Sequence, residues 1–292
     1  MKLLKPSEFF DLSDTTSIVT GGVGMLGRQY VAALLQCGSS VIVLDNKSQN
    51  KNFLNLMKKE FKLTNSEIVN LQIKKCDITN HKEVKKTFIS LKKSLKNLKI
   101  LVNNASLVKQ VKKNSELIDY YKPFLKMLPN DWEEYFSIDL TGTLLVTQQA
   151  IPYMQKNGSG SIINISSTYG LLSPDQRLYD SFNKKLSAKQ KKMGITIEKP
   201  IGYSISKSGI LNLTRFIATK FASDKIRVNT LTLGGVYDEN PSSFVKAYSK
   251  RTPLNRMAKR QEYIGPLLFL ASDMSSYMTG SNLVVDGGWS AW

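Results

Sequence analysis

The sequence predicts an α/β fold in which helices cover both faces of a doubly wound parallel sheet. Apolar runs of strand length alternate with helical patterns along the 292 residues. Several runs are continuously apolar, such as 41–44, which is typical of strands covered on both faces. A glycine-rich turn at 20–27 joins the first run to the first helical pattern. This strict alternation indicates parallel strands with right-handed crossovers.

The elements follow one another at regular intervals. We predict strands at 17–20, 41–44, 68–75, 99–102, 161–165, 227–231 and 283–285. The helices are expected after the glycine turn and at about 49–62, 81–96, 131–154, 203–222 and 261–272. No repeat or long linker divides the chain, so we expect one domain over residues 1–292.

Two stretches, 107–129 and 168–202, interrupt the alternation. Connections of this length inside a compact domain are usually functional or disordered. The second stretch leaves the carboxyl edge of a predicted strand, where ligands bind in open α/β sheets. We therefore expect an inserted segment at about 168–202 that shapes a substrate site.

Composition narrows the cellular setting. Hydrophobic residues make up 41% of the chain, but no apolar run approaches the roughly 20 residues of a membrane span. The N-terminus lacks the apolar stretch of a signal peptide. Cys37 and Cys76 have no metal-like spacing, and reduced thiols are typical of the cytoplasm, which is the expected location.

The chain is strongly basic, with a formal charge of +18. Lysines are spread over predicted helix surfaces, which favours solvated faces over a nucleic-acid partner. Attraction of phosphates or of an acidic carrier protein stays open. His81 is the only histidine and has no second ligand nearby in sequence, so no metal site is expected.

The glycine turn can hold a dinucleotide. Glycines let the backbone approach a pyrophosphate, and the helix that follows points its first amides at that anion. Asp45 ends the next predicted strand, where a carboxylate can accept hydrogen bonds from an adenosine ribose and repel a 2′-phosphate. This favours NAD over NADP. Helix capping by Asp45 stays an alternative. The positive charge of Lys47, close in sequence, could reduce the preference for NAD. Asp77 either meets the adenine or caps the next helix.

Tyr203 and Lys207 form the second candidate site. They are four residues apart and share a helix face, so the ammonium can lie beside the phenol. A nearby positive charge lowers the pKa of a phenol, which could then act as a general acid or base. The serine pair Ser166 and Ser167 precedes Tyr203 by 36 residues, counted from Ser167, and a hydroxyl there could hold a substrate oxygen.

These motifs resemble the short-chain dehydrogenase/reductase family from about Leu12 to Trp292. The resemblance implies a Rossmann-type sheet of about seven parallel strands, a nicotinamide cofactor and a homodimer or homotetramer. It implies that Ser167, or failing that Ser166, binds the substrate oxygen, that Tyr203 exchanges the proton, and that Lys207 holds the nicotinamide ribose and tunes the phenol. The implied cofactor-binding residues are Gly21, Val23, Met25, Leu26, Gly27, Asp45, Asp77, Ile78, Asn104, Ala105, Tyr203, Lys207, Gly234 and Val236.

The chain departs from the family pattern in four ways. Met25 stands where the middle glycine of the turn is expected. Asp139 replaces an asparagine that helps position a proton-relay water, so Asp139 is the fourth catalytic candidate, and a carboxylate there could also hold Lys207 differently. Leu233 replaces a proline near the nicotinamide. The spacing from serine to tyrosine is far longer than usual, because of the inserted segment.

A looser resemblance points to the branch found among bacterial flagellin-modification and surface-glycan genes. It implies oxidation or reduction of a sugar derivative such as a phosphosugar or a nucleotide sugar. Asp175, Gln176 and Arg177 would suit sugar hydroxyls or a phosphate, or else form an ordinary polar loop.

Three functions are therefore open. The leading expectation is an NAD-dependent alcohol–ketone oxidoreductase that acts on a small sugar-like molecule. A 3-oxoacyl carrier-protein reductase is the second, and the basic surface would suit an acidic carrier. The third is a dinucleotide-binding protein that has lost turnover, to which Met25, Asp139 and Leu233 lend some support.

Overall fold

A seven-stranded parallel sheet forms the centre of the molecule. The structure is a computed structural model and describes residues 6–47, 51–108 and 124–292. The strands are β1 Thr16–Thr20, β2 Ser40–Asp45, β3 Leu71–Lys75, β4 Leu98–Asn103, β5 Gly160–Ser167, β6 Ile226–Leu233 and β7 Asn282–Val285. Their order is β3-β2-β1-β4-β5-β6-β7, and every pairing is parallel. The predicted fold class is confirmed.

Helices flank this sheet and connect its strands. The principal ones are α1 Gly27–Gln36, α2 Lys51–Phe61, α3 Asn65–Val69, α4 His81–Ser90, α5 Pro129–Phe136, α6 Thr143–Lys156, α7 Thr168–Leu171, α8 Asp180–Lys185, α9 Ala188–Lys192, α10 Ile201–Phe221, α11 Ser242–Ser249 and α12 Ile264–Ala271. Within the ranges that the structure describes, no helix is both long enough and apolar enough to cross a membrane.

Adjacent residues of a strand enter two different cores. Val19 belongs to the core that α1 and α12 cover, whereas Ile18 belongs to the core that α4, α6 and α10 cover. Val43 and Ile42 divide in the same way. Both faces of the sheet are therefore dry, which explains why the strands are apolar without alternation.

Three predicted elements differ from the structure. The start of the strand predicted at 68–75 is the end of α3, because Thr64 and Glu67 form a reciprocal capping box that begins a helix there. The helix predicted at 81–96 ends at Ser90 and continues as turns. The helix predicted at 131–154 contains a π-helical segment, Ser137–Gly142, between α5 and α6.

The inserted segment 168–202 folds into short helices with a hydrophobic core of their own. Leu178, Tyr179 and Ile197 pack there with Tyr248 of α11 and with Trp289. The Trp289 ring stacks on Tyr248 with 4.4 Å between ring centroids. The segment is therefore anchored to the C-terminal part of the chain beside the carboxyl edge of the sheet. Most of the other interruption, 107–129, lies outside the described residues.

Candidate active site

A cleft of about 890 Å³ opens at the carboxyl edge of the sheet. Its walls come from the glycine turn, from the ends of β2, β4, β5 and β6, and from the start of α10. Parallel strands bring these ends together even though they are far apart in sequence. Of the predicted cofactor-binding residues, all except Val23 line the cleft.

The glycine turn is shaped by two close backbone approaches. Gly21 has a positive φ of 62°, and a Cβ atom there would lie 2.8 Å from the Cα of Ala105. A Cβ atom on Gly27 would lie 2.2 Å from the carbonyl oxygen of Gly21. Neither position can hold a side chain without moving the backbone. Met25 is on the cleft wall, so the missing family glycine leaves these close approaches intact.

The first turn of α1 faces the cleft beside this turn. Leu26 precedes the helix, and no side chain caps its amides. An uncapped helix N-terminus beside a glycine turn is suited to an anion such as a pyrophosphate. The residues present therefore fit the dinucleotide that the sequence predicted.

Asp45 ties the end of β2 to the glycine turn. One carboxylate oxygen accepts a hydrogen bond from the Val23 amide at 3.1 Å, and the other accepts one from the Lys47 amide at 3.1 Å. Val23 thus lies behind the turn, where its side chain packs on the core. Asp45 is buried yet borders the cleft, and each of its oxygens keeps a further lone pair that can accept a hydrogen bond.

Asp77 and Ile78 form the wall on the β3 side. The Asp77 carboxylate accepts hydrogen bonds from the Thr79 amide and hydroxyl, at 2.9 and 2.8 Å. Asn80, and not Asp77, caps α4, because its side chain accepts the Glu83 amide. The capping alternative for Asp77 is therefore wrong.

Asn104 holds β4 against the glycine turn. Its side-chain amide donates to the carbonyl oxygens of Thr20 and Gly21, at 2.9 and 3.1 Å. The Thr20 hydroxyl in turn accepts the backbone amides of Asn104 and Ala105. These bonds fix the floor of the cleft between β1 and β4.

The β6 end forms the opposite wall. A Cβ atom on Gly234 would lie 2.7 Å from the Cα of Asp286, so this glycine allows β6 to run close to the end of β7. The amide of Gly235 donates to the Tyr248 hydroxyl at 2.6 Å. Val236 continues the wall and pairs with Ala258 in an isolated bridge. Leu233 also lines the cleft in place of the family's proline.

The two serines at the end of β5 have different surroundings. The Ser166 hydroxyl is buried and donates to the carbonyl oxygen of Lys207 at 2.7 Å. The Ser167 hydroxyl accepts the Tyr169 amide at 3.2 Å and borders the same cleft as Tyr203. The geometry therefore favours Ser167 over Ser166 as the group that binds a substrate oxygen.

Lys207 and Tyr203 share a face of α10, and Lys207 also has partners elsewhere in the protein. The Lys207 Nζ lies 6.0 Å from the Tyr203 ring centroid and donates to the carbonyl oxygen of Ile165 at 3.1 Å. It also lies 3.5 Å from an Asp139 carboxylate oxygen, and both side chains are buried. The lysine is therefore neutralised by a carboxylate within the protein.

The pKa of Tyr203 is raised to about 12, which corrects the prediction that it would be lowered. Burial makes the largest contribution, and the nearby Asp139 carboxylate and Tyr248 add to it. The hydrogen bond with Ser167 opposes this rise. Lys207 is not among the groups that lower the pKa of Tyr203, and its ammonium lies 3.5 Å from an Asp139 carboxylate oxygen.

Asp139 lies in the π-helical segment between α5 and α6. The Ser206 hydroxyl donates to one of its carboxylate oxygens at 2.6 Å, and the other faces Lys207. A π-helical turn re-aims the side chains that follow it and often marks a functional site. The contact between Asp139 and Lys207 is the one that the sequence suggested for a carboxylate at this position.

The predicted substrate residues have other partners. Asp175 forms ion pairs with Arg177 and Arg251. Gln176 binds the backbone of Lys199 through both ends of its amide. None of the three predicted residues, Asp175 to Arg177, lines the cleft, so the structure favours the alternative that they form a polar loop.

Lys199 was not among the predicted site residues. Its Nζ lies 3.8 Å from the Tyr203 ring centroid, over the ring, and it lines the cleft. Burial lowers its pKa to about 8, and the Lys207 ammonium adds to this effect while Asp139 opposes it. In sequence it is one lysine among many, and only its position four residues before Tyr203 could have indicated a shared site.

Comparison with known proteins agrees with this geometry. Residues 15–180 match the family described as short chain dehydrogenase, and residues 186–290 match the one described as Enoyl-(Acyl carrier protein) reductase. The chain belongs to the short-chain dehydrogenase family. The predicted family is thus confirmed.

Two relatives span almost the whole length of this short-chain dehydrogenase. "Post-translational flagellin modification protein A" of Campylobacter coli is 28% identical over 279 residues, which cover 95% of this chain and 99% of the relative. "Probable galactose dehydrogenase GalD" of Rhizobium meliloti is 29% identical over 291 residues, 98% of each chain.

Solved structures show the same fold with a dinucleotide. A short chain dehydrogenase from Leptospira borgpetersenii with bound NAD+ has a TM-score of 0.77 and 29% identity, and the match covers 99% of this chain and 97% of that one. A gluconate 5-dehydrogenase from Burkholderia cenocepacia, in complex with NADP and tartrate, has a TM-score of 0.77 at 23% identity, with 99% and 100% covered. Each of these two structures contains a nicotinamide dinucleotide.

The described residues of this site include no group of side chains that could bind a metal ion. Across residues 6–47, 51–108 and 124–292, no cluster of three histidine, cysteine, aspartate or glutamate side chains could hold a metal ion. The homodimer or homotetramer that the family resemblance implies stays a prediction.

The glycine turn gives a direct test of cofactor binding. We expect Gly27→Ala to weaken NADH binding at least tenfold, because its Cβ atom would displace the Gly21 carbonyl from the turn. Fluorescence titration with NADH measures the affinity, and circular dichroism checks that the variant is folded. Gly265→Ala is the matched control, since a Cβ atom there meets nothing within 4 Å. Unchanged NADH affinity in folded Gly27→Ala would contradict the assignment of this turn.

Proposed function

We propose that this short-chain dehydrogenase is an NAD-dependent oxidoreductase of a secondary alcohol or ketone on a sugar derivative. The observation that carries the proposal is that Ser167, Tyr203 and Lys207 line the same cleft as an intact glycine turn. One end of the cleft suits a dinucleotide and the other suits a carbinol oxygen. Its biological setting is proposed to be surface-glycan or flagellin modification.

The residues of the cleft divide the reaction between them. A bound nicotinamide supplies the hydride acceptor or donor. In the oxidation, the carbinol carbon loses a hydride with its electron pair, and the hydroxyl proton passes to the Tyr203 oxygen. Ser167 holds the substrate oxygen, and its bond to Tyr203 lowers the pKa of the phenol against the effect of burial. Lys207 is placed to hold the nicotinamide ribose, as the family resemblance implied.

The sugar substrate rests on the relatives. One relative is described as a flagellin modification protein and another as a probable galactose dehydrogenase, and each matches at least 95% of this chain. At 28 and 29% identity they support a substrate class rather than one compound. A phosphosugar or a nucleotide sugar would also suit the charge of +18.

A 3-oxoacyl carrier-protein reductase is the second candidate. The match of residues 186–290 to the Enoyl-(Acyl carrier protein) reductase family and the basic surface favour it. Asp45 opposes it, because a carboxylate at the ribose repels the 2′-phosphate of NADPH, which that chemistry usually uses. A turnover-deficient protein is disfavoured, because Ser167, Tyr203 and Lys207 are all present and line one cleft.

Cofactor preference separates these candidates. We expect NAD to support oxidation of sugar phosphates or nucleotide sugars with a kcat/KM at least tenfold above that with NADP, because Asp45 repels a 2′-phosphate. Asp45→Ser should narrow that ratio. A substrate screen followed by NADH or NADPH absorbance gives both values. A strong preference of the unmodified protein for NADPH with a carrier-bound 3-oxoacyl substrate would instead select the second candidate.

Tyr203→Phe tests the proton-transfer role. We expect at least a hundredfold loss of kcat, because phenylalanine keeps the ring but cannot exchange a proton. NADH affinity, measured by fluorescence, should change little. Tyr277→Phe is the control, since Tyr277 is fully exposed and remote from the cleft. If the Tyr203→Phe variant kept the kcat of the unmodified protein, the proposed proton transfer to Tyr203 would be refuted.

Asp139→Asn tests whether the Asp139 carboxylate raises the pKa of Tyr203. Burial raises the pKa of Tyr203 most, and the Asp139 carboxylate raises it further, so removing that charge should lower the pKa. Oxidation needs the deprotonated phenol, so its kcat/KM rises with pH toward the Tyr203 pKa. The rise should move to lower pH in the variant, by about one unit or less. Asp224→Asn, at an exposed carboxylate paired with Gln155, should leave the profile unchanged, and a shift to higher pH in Asp139→Asn would refute this explanation.

A further inference from the structure

The Lys199 ammonium lies at the end of the cleft that contains Ser167 and Tyr203, which we call the reacting end. It comes from the end of the inserted segment and precedes Pro200, the residue before α10. Its Nζ lies over the Tyr203 ring, 3.8 Å from the centroid, on the same cleft wall as Ser167. A cation over the face of a tyrosine ring is held there by the ring's quadrupole, a weak interaction that a stronger anionic partner can replace.

Among the residues that the structure describes, no carboxylate lies within ion-pair distance of the Lys199 ammonium. Lys207, by contrast, lies 3.5 Å from the Asp139 carboxylate. The two lysines therefore differ in role, since one is neutralised within the protein and the other brings a free positive charge to the substrate region.

The backbone of Lys199 is held in place from outside the cleft. The Gln176 side chain accepts the Lys199 amide at 2.8 Å and donates to the Lys199 carbonyl oxygen at 3.2 Å. Asp175, the neighbour of Gln176, is itself anchored by ion pairs with Arg177 and Arg251. A residue whose backbone is bound on both sides, and which proline then follows, has few conformations available. The ammonium is thus presented to the cleft in a restricted position.

We propose that Lys199 binds an anionic group, a carboxylate or a phosphate, that the substrate carries close to its reacting carbinol carbon. The inference rests on the proposed function and extends it, because it selects acidic sugar derivatives over neutral ones. An ammonium and an anion in a partly dry cleft form a charge-assisted hydrogen bond, which is stronger than a neutral one. Arg177, the cation that the sequence suggested for a phosphate, is exposed and already paired with Asp175.

The state of charge of Lys199 limits this interaction to a defined pH range. Burial, reinforced by the Lys207 ammonium, lowers the pKa of Lys199 to about 8, and the Asp139 carboxylate opposes the shift. Lys199 is therefore protonated below about pH 8 and loses its charge above it. Anion binding by the protein should weaken as the pH rises through this value.

The experiment measures anion binding to the complex of the protein with NADH, which keeps the probes out of the pyrophosphate turn. Inorganic phosphate and D-gluconate are the two probes, with D-glucose as the neutral reference, and ligand-observed NMR gives the affinities at pH 7. We expect at least one anion to bind, and Lys199→Gln to weaken that binding at least tenfold. Lys199→Arg should retain it. Lys191→Gln, at an exposed lysine of the same segment, should have no effect.

A pH series and the variant Gln176→Ala test whether the charge and the position of Lys199 determine anion binding. In the unmodified protein the affinity for the anion should fall above about pH 8, whereas in Lys199→Arg it should stay constant, because arginine keeps its charge. Gln176→Ala should weaken anion binding by a smaller factor and leave the binding of D-glucose unchanged. Phosphate binding alone would identify a phosphorylated substrate, and gluconate binding alone a sugar acid.

Two results would overturn the inference. One is that neither anion binds to the NADH complex, and the other is that both bind equally well to Lys199→Gln. Failure of the proposed function is a separate outcome, because it would appear as absent hydride transfer with every alcohol tested. If neutral sugars were oxidised while neither anion bound, the inference about Lys199 would fail alone.

Discussion

The buried pair of Asp139 and Lys207 is the interaction on which the reacting end of the cleft depends. Burying two charges is costly, and their mutual attraction offsets this only when further hydrogen bonds satisfy them. Here Ser206 donates to Asp139, and Lys207 donates to the carbonyl oxygen of Ile165 at the end of β5. The pair therefore ties the π-helical segment, α10 and the sheet together. It also removes Lys207 as the charge that would acidify Tyr203.

The cofactor end depends on backbone geometry rather than on charge. The close approaches at Gly21 and Gly27 set the shape of the turn, and the Asn104 side chain fixes it to β4. Met25 can replace the family's middle glycine, because the two crowded positions, Gly21 and Gly27, lie before and after it in the turn. The parallel sheet then supplies the distance between this turn and Tyr203, since β1, β4 and β5 are neighbours.

The sequence predicted the sheet well because the relevant signal is local. Neighbours such as Ile18 and Val19 enter opposite cores, so several strands contain a continuous apolar run, such as 41–44 in β2, that can be recognised on its own. The capping box of Thr64 and Glu67 was also a local signal, and it was missed. The helix α11 and the folded insertion could not be predicted in this way, because their core is assembled from residues as distant as Leu178 and Trp289.

The same distinction explains the errors at the site. Residue type suggested that Gln176 would meet a substrate, but its partner is a backbone 23 residues away in sequence. Helical spacing placed Lys207 beside Tyr203 correctly but could not show that its ammonium pairs with Asp139. Taken together, Lys199, Lys207 and Asp139 leave one net positive charge around the phenol. A site of this charge is poorly matched to a neutral alcohol alone, and an acidic substituent on the substrate would balance it.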